Sequence, residues 1–268
     1  MDGMAPQSGR ISAQPPFIRN AIRLALVTLG AALLVAGRAA ASDPVQNGNP
    51  AAPVSLFDGK TLAGWHVAAK PADRDKTFWT VRDGAITCDS RGHKGHDYVW
   101  LLTDGEYADF ELSLEVRGYR ESTGNSGVQV RSRWDEMAQR LDGPQVDIHP
   151  PTPFRTGLIY DETRETSRWI WPSLPDWRIE PAQGPARWIW KYSDEGDGWN
   201  LLEIVCRGTR IRTKLNGLEM ADFDGAGILD DGAHRSHNVG LTGHIALQLH
   251  TRDDLYIQFK DLLLRGLP

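Results

Sequence analysis

Thiols are scarce in this chain: Cys88 and Cys206 are the only cysteines among 268 residues. It has no C-x-x-C pair, H-E-x-x-H motif or thiol cluster, which removes the common structural zinc sites and the zinc-peptidase arrangement. Both cysteines sit in strand-like apolar runs where a buried free thiol is common, so one disulfide is permitted but not required. Basic blocks are missing too. With 30 Lys and Arg against 35 Asp and Glu the formal charge is −5, and the electrostatic footprint of a nucleic-acid-binding protein is absent. No apolar run reaches the ~18 residues that span a bilayer. No long stretch carries the 3.6-residue period of an amphipathic helix.

What is present is turn chemistry and tryptophan. The 27 Gly and 16 Pro are spread along the chain, as a β protein with many turns requires. Ten Trp is a high count; each offers a flat apolar face with one N–H donor, suited to cores and to sugar rings. Arg19 and Arg23 precede an apolar stretch from Leu24 to Ala36, and Ala39-Ala40-Ala41 supplies small residues, the pattern of an export signal over residues 1–41. Cleavage there would lower Lys plus Arg from 30 to 26 and Asp plus Glu from 35 to 34, a net charge of about −8. The expectation is a periplasmic or secreted protein with no stable membrane insertion after cleavage. Residues 42–53 are small, polar and Pro-rich, a linker. Residues 54–268 then form a single domain, an ordinary length for an all-β fold.

From Val54 onward the period is mostly two. Phe78–Val81 and Ala85–Cys88 flank a turn containing Asp83-Gly84 and predict a hairpin. Phe110–Val116 alternates cleanly, and Val128–Arg131, Gln145–His149 and Leu201–Val205 repeat the pattern. Arg210–Leu215 and Leu218–Phe223 flank Asn216-Gly217, the strongest short hairpin signal in the chain. His244–His250 and Leu255–Leu264 complete the series. These strands predict an antiparallel jelly-roll β-sandwich. Residues 161–198 lack periodicity and carry Trp169, Trp171, Trp177, Trp188 and Trp190; they predict a long Trp-rich loop insertion that packs on itself and covers a site.

Several strands carry reactive side chains at period two on the face opposite the core. Gln129 and Arg131 share one face, Gln145, Asp147 and His149 another, and Gln248 and His250 a third. Glu115 and Arg117 would extend the stripe. Aligned side by side, these groups offer the mixed donors and acceptors that sugar hydroxyls need, and a carboxylate and imidazoles able to move protons. Trp100, Tyr160 and Trp171 are candidate sugar-contacting aromatics. His93 and His96 lie in a Gly-rich loop that reads as solvated, with the rim of this face as the alternative, and His234 and His237 read as surface residues.

An ordered series of short segments then resembles the 3-keto-disaccharide hydrolase family, whose fold is a concanavalin-like jelly roll. It runs Leu56-Phe57-Asp58-Gly59, Phe78-Trp79-Thr80-Val81-Arg82-Asp83-Gly84, Tyr107-Ala108-Asp109-Phe110-Glu111-Leu112, Gly124-Asn125-Ser126-Gly127-Val128-Gln129-Val130-Arg131, Gly143-Pro144-Gln145-Val146-Asp147, Gly157-Leu158-Ile159-Tyr160, Leu215-Asn216-Gly217 and Ile245-Ala246-Leu247-Gln248-Leu249-His250. Many relatives carry Glu-x-Gln where this chain has Gln145-Val146-Asp147, so the carboxylate sits two residues along the same face. The resemblance implies sugars already oxidised at C3, cleaved by C2 proton abstraction, β-elimination and hydration. On that basis Asp147 or His250 is the base, Arg131 the enolate stabiliser and His149 a second proton carrier, with Gln129, Gln145 and Gln248 holding hydroxyls. No cofactor is required, although Asp and His would also suit a divalent cation assisting Arg131. The alternatives are a two-carboxylate glycoside hydrolase, with Glu115 beside Asp147, and a non-catalytic carbohydrate-binding module.

Overall fold

The computed structural model describes residues 52–122, 124–151, 154–174 and 189–268. In chain order the strands are β1 (Val54–Ser55), β2 (Trp65–Ala69), β3 (Trp79–Arg82), β4 (Ala85–Asp89), β5 (Val99–Thr103), β6 (Phe110–Gly118), β7 (Ser126–Asp135), β8 (Arg140–Asp142) and β9 (Pro144–Ile148). They continue as β10 (Ile159–Asp161), β11 (Arg168–Trp171), β12 (Ser173–Leu174), β13 (Asn200–Arg207), β14 (Arg210–Leu215), β15 (Leu218–Asp224), β16 (His244–Leu249) and β17 (Tyr256–Gly266). Two short helices, α1 (Pro71–Arg74) and α2 (Gly232–His237), sit in connections. The predicted strands all form.

The strands make two antiparallel sheets. The first has eight, in the order β15-β14-β13-β6-β17-β4-β3, with β1 on β17. The second has nine, in the order β12-β11-β10-β9-β7-β16-β5-β2, with β8 on β7. The expected all-β sandwich is therefore the fold. Its sheets meet through residues one apart from the polar ones. In β6 Phe110, Leu112, Leu114 and Val116 are buried and join one core cluster with Val128, Val130, Val146 and Ile148 of the second sheet. Such a layer, fed by both sheets, is what drives the two faces together. The β14–β15 turn has φ of 49° at Asn216 and 80° at Gly217. Positive φ at both central residues matches the twist of the flanking strands, as the Asn-Gly pair predicts.

Cys88 and Cys206 are both buried and free, with no bond between them. The insertion differs from the expected loop. Its first part completes β10 and adds β11 and β12 at the edge of the second sheet, where Tyr160, just before the insertion, stands opposite both Gln145 and Trp169. Trp190 is only 4 % exposed and belongs to the main core. Trp177 and Trp188, and with them most of the expected cover, fall outside the described residues.

Alternation fails at Arg131, and the reason is local. Ser132 pairs with His244 and Gln129 with Ala246, so Val130 and Arg131 together face Ile245 alone, a bulge with φ 51° at Arg131. The bulge takes Arg131 off the face of Gln129. Its guanidinium is fully buried, donating to the carbonyls of Ala108 (2.6 Å), Gly208 (2.5 Å) and Gly240 (3.3 Å) and to Asp109 Oδ1 (2.9 Å). It clamps three loops with four of its five N–H donors, and it is fully buried and does not line the cleft described below. Arg131→Met leaves those acceptors unpaired, and urea unfolding should read a loss of about 3 kcal/mol or more. An unchanged midpoint would refute the clamp.

Candidate active site

The outer face of the second sheet holds a cleft of about 580 Å³, within the usual range for small-molecule sites. Its floor is built by the pleat. Val146 and Ile148 of β9 enter the core, so Gln145 and Asp147 project the other way into the cleft; Ile159 and Tyr160 divide likewise on β10. Trp100 comes from β5 and His250 from the residue just past β16.

Asp147 is held by a chain of amides. Ser132 Oγ donates to Gln129 Oε1 (3.2 Å), Gln129 Nε2 to Gln145 Oε1 (2.8 Å), and Gln145 Nε2 to Asp147 Oδ1 (3.0 Å). Each amide gives from one end and accepts at the other, so the chain fixes one rotamer of the carboxylate. Gly127 makes room for it: a Cβ there would lie 2.4 Å from Gln145 Cδ. The other oxygen, Asp147 Oδ2, lies 3.2 Å from Arg155 Nε, an ion pair in distance but without hydrogen-bond alignment. Burial pushes the Asp147 carboxyl up to about 6, against the opposing pull of Arg155, His250 and Gln145.

A second carboxylate faces the same cleft. Glu162 follows β10, and its side chain is 14 % exposed. Its Oε2 is 3.6 Å from Arg140, and Gln248 Nε2 lies 3.5 Å from its Oε1. Burial pushes it up to about 7; Arg140 and His250 oppose the rise, while Asp147 and Asp161 add to it. His250 is fixed at both ring nitrogens, Nε2 3.2 Å from the Tyr98 hydroxyl and Nδ1 3.2 Å from the Thr251 carbonyl. Burial works against its charged form, but Asp253, Asp147 and Glu162 outweigh it and raise its pKa. Aromatic walls complete the site. Tyr98 stacks on Trp100 at 5.3 Å and 13°, Tyr160 meets Trp169 edge-on at 5.1 Å, and Arg155 lies 5.7 Å over Trp169.

Five buried side-chain atoms without a hydrogen bond belong to residues lining this cleft: Trp100 Nε1, Asn125 Oδ1, Arg140 Nε, Asp147 Oδ2 and Arg155 Nε. Buried polar atoms usually have a partner in the protein or in ordered water, so these five are open to one supplied from the cleft. Both donors and acceptors are represented, as a polyhydroxylated ligand requires.

The predicted residues divide into three groups. Gln145, Asp147, His250, Trp100 and Tyr160 line the cleft; Gln129 and Gln248, both fully buried, stand behind it. Arg131 is the buried clamp described above. Glu115 lies on β6 of the first sheet, paired with Lys260 at 2.8 Å, so it is no partner for Asp147. His149 follows β9 in the turn toward Arg155, and Trp171 is 38 % exposed with its ring 6.5 Å from Phe223; neither lines the cleft. His96 is buried against the Asp97 and Asp253 carbonyls. His234, expected on the surface, is buried between Asp161 (3.3 Å) and Asp231 (2.9 Å). Glu162, Arg155, Arg140 and Tyr98 are among the lining residues that sequence reasoning missed, while Trp169 comes from the insertion expected to cover a site. The signal for Glu162 was the alternation Ile159-Tyr160-Asp161-Glu162, hidden by its place at the start of an aperiodic stretch. No group of three or more His, Cys, Asp or Glu poised to hold a metal occurs among the described residues.

The 3-keto-alpha-glucoside-1,2-lyase-like domain model matches residues 52–265. The chain belongs to that family. A crystal structure of a protein from Parabacteroides distasonis ATCC 8503, provisionally described as a glycosyl hydrolase, superimposes with a TM-score of 0.52 at 17 % identity, covering 81 % of this chain and 94 % of that one. A second such protein from the same organism gives 0.49 at 20 % identity over 81 % and 100 %. A carbohydrate-binding module from Bacillus subtilis gives 0.43 at 14 % over 76 % and 96 %. At 17 % identity the first of these is a likeness of fold. No curated protein matches the chain. Among the described residues no helix is long and apolar enough to cross a membrane.

The family member's buried carboxyl has a stability consequence with a definite sign. Asp147 holds its proton to about 6 in the folded protein, against about 3.9 in an unfolded chain. Between those values the folded state binds the extra proton, so stability falls as pH rises through that window and stays lower above it. Asp147→Asn should therefore be more stable than the parent at pH 8 by about 1–3 kcal/mol and no more stable at pH 4. Urea unfolding at both pH values checks this.

Proposed function

We propose that the protein cleaves glycosides whose sugar ring is already oxidised at C3. The observation that carries this reading is Asp147: a buried carboxylate held at one oxygen by the amide chain, its other oxygen without a hydrogen bond, and an arginine beside it. A C3 ketone acidifies the C2 hydrogen, and a base near neutrality can remove it. Asp147, at about 6, is mostly ionised at neutral pH and still basic enough to act. The electron pair passes to the C3 oxygen as an enolate, beside which a cation is needed. Arg155 takes the part expected of Arg131, because it lines the cleft next to Asp147. The enolate then restores the C3 ketone and expels the C1 oxygen, leaving a C1–C2 double bond; water adds across it. The net change is one water consumed, one glycosidic bond broken.

His250 supports this as a positioned neighbour whose charged form Asp253, Asp147 and Glu162 favour, rather than as the base, since both its ring nitrogens are engaged. The cleft's pair of carboxylates, Asp147 and Glu162, also favours a second reading, direct hydrolysis of an unoxidised glycoside. One assay separates them. The 3-keto glycoside should be cleaved and its parent glycoside should not, with deuterium entering C2 of the product in D₂O. Cleavage of the parent supports direct hydrolysis, and cleavage of neither supports a binding module. Asp147→Asn should lower turnover of the keto substrate by about 10²–10⁴-fold in a protein that still unfolds cooperatively; an unchanged rate would remove Asp147 from its role.

A further inference from the structure

Elimination leaves one proton unassigned, the one the departing glycosidic oxygen must collect. We propose that Glu162 supplies it, as the general acid of this site; the assignment rests on the elimination reading above. The sheet register sets the two carboxylates apart along the floor of the cleft. Tyr160 pairs with Gln145, and the Glu162 N–H donates to the Gly143 carbonyl, so Glu162 stands four positions along β9 from Asp147. At about 3.3 Å per residue their backbones are about 13 Å apart along the sheet, which leaves room for a sugar ring. A base at C2 and an acid at the C1 oxygen need that placement, on adjacent atoms of the ring but from different directions.

The surroundings of Glu162 suit the neutral form. Gln248 is fully buried, its Nε2 only 3.5 Å from Glu162 Oε1 and its own Oε1 without a hydrogen bond. Turning that amide by 180° places its oxygen toward Glu162, where a protonated carboxyl can donate to it. Burial holds Glu162 at about 7, so much of it carries the proton at neutral pH. Arg140 Nη2 donates to the Glu162 backbone carbonyl at 3.1 Å and approaches its carboxylate at 3.6 Å. It is placed to receive the charge left once the proton has gone. The other candidate donor, His250, already has both ring nitrogens in hydrogen bonds, Nε2 with the Tyr98 hydroxyl and Nδ1 with the Thr251 carbonyl.

The step balances. Asp147 removes H2, the C2 electron pair becomes the enolate and then the C1–C2 double bond, and the C1–O bond breaks with its pair going to oxygen. Glu162 gives that oxygen its proton and becomes a carboxylate. The water that later adds to C1 returns a proton to Glu162, and Asp147 returns one to C2.

Leaving-group dependence tests the assignment. A 4-nitrophenyl 3-keto glycoside expels a stable phenolate without help, whereas a methyl or sugar aglycone needs the proton. Glu162→Gln is expected to lose about 10²–10⁴-fold on the methyl glycoside and less than about tenfold on the 4-nitrophenyl one, and to flatten the alkaline limb of the pH profile. The same variant should retain washout of the C2 hydrogen from a 3-keto-1,5-anhydro sugar in D₂O, a reaction that uses Asp147 and has no aglycone to expel; this also shows that the variant is folded. Equal losses on both aglycones, or loss of C2 exchange, would overturn the role of Glu162. Wild-type protein inert toward both aglycones and in exchange would overturn the elimination reading, and this assignment with it.

Discussion

The packing of two pleated sheets through their apolar faces is the constraint on which everything else rests. Val146 and Ile148 of β9, Val128 and Val130 of β7, and Ile245, Leu247 and Leu249 of β16 are all driven into one layer against the first sheet. Because the side-chain period of a strand is two, burying that set commits the intervening residues to the opposite face. Gln129, Gln145, Asp147 and Gln248 are therefore brought together by the hydrophobic effect acting on their neighbours. A one-residue slip of any of these strands would exchange the core for the site.

What the sheet brings together, burial then tunes. Asp147 and Glu162 are both raised by desolvation, to about 6 and about 7. Arg155, Arg140 and His250 limit the rise without cancelling it. Two similar groups thus titrate close to neutrality in one cleft, a cost to the fold that such sites commonly carry. The amide chain from Ser132 to Asp147 supplies what desolvation cannot, a fixed direction for one carboxylate oxygen.

Legibility followed regularity. Strands with clean alternation, such as Phe110–Val116 and the Asn216-Gly217 hairpin, could be placed from residue types alone, because period and turn chemistry are local properties. The stripe was legible for the same reason wherever the pleat was unbroken: Gln145 and Asp147 fell on the face they occupy. Arg131 did not, because a bulge is set by the partner strand's register, which no pattern within β7 reveals. Glu115 alternates as correctly as Asp147 but belongs to the other sheet, and periodicity is silent about sheet membership. His234 shows the reverse case, a polar residue in a polar stretch that two aspartates draw into the interior.

The sequence by itself determined the class of fold, the faces of the regular strands and the family, since each depends on residue types at fixed local spacing. Only the tertiary structure decided which polar residues meet. It removed Arg131, Glu115, His149 and Trp171 from the cleft and placed Arg155, Arg140, Tyr98, Trp169 and Glu162 in it. The reason is that a site is made by strand order and register across the sheet. Those are set by the packing of the whole layer, and no window of sequence contains them.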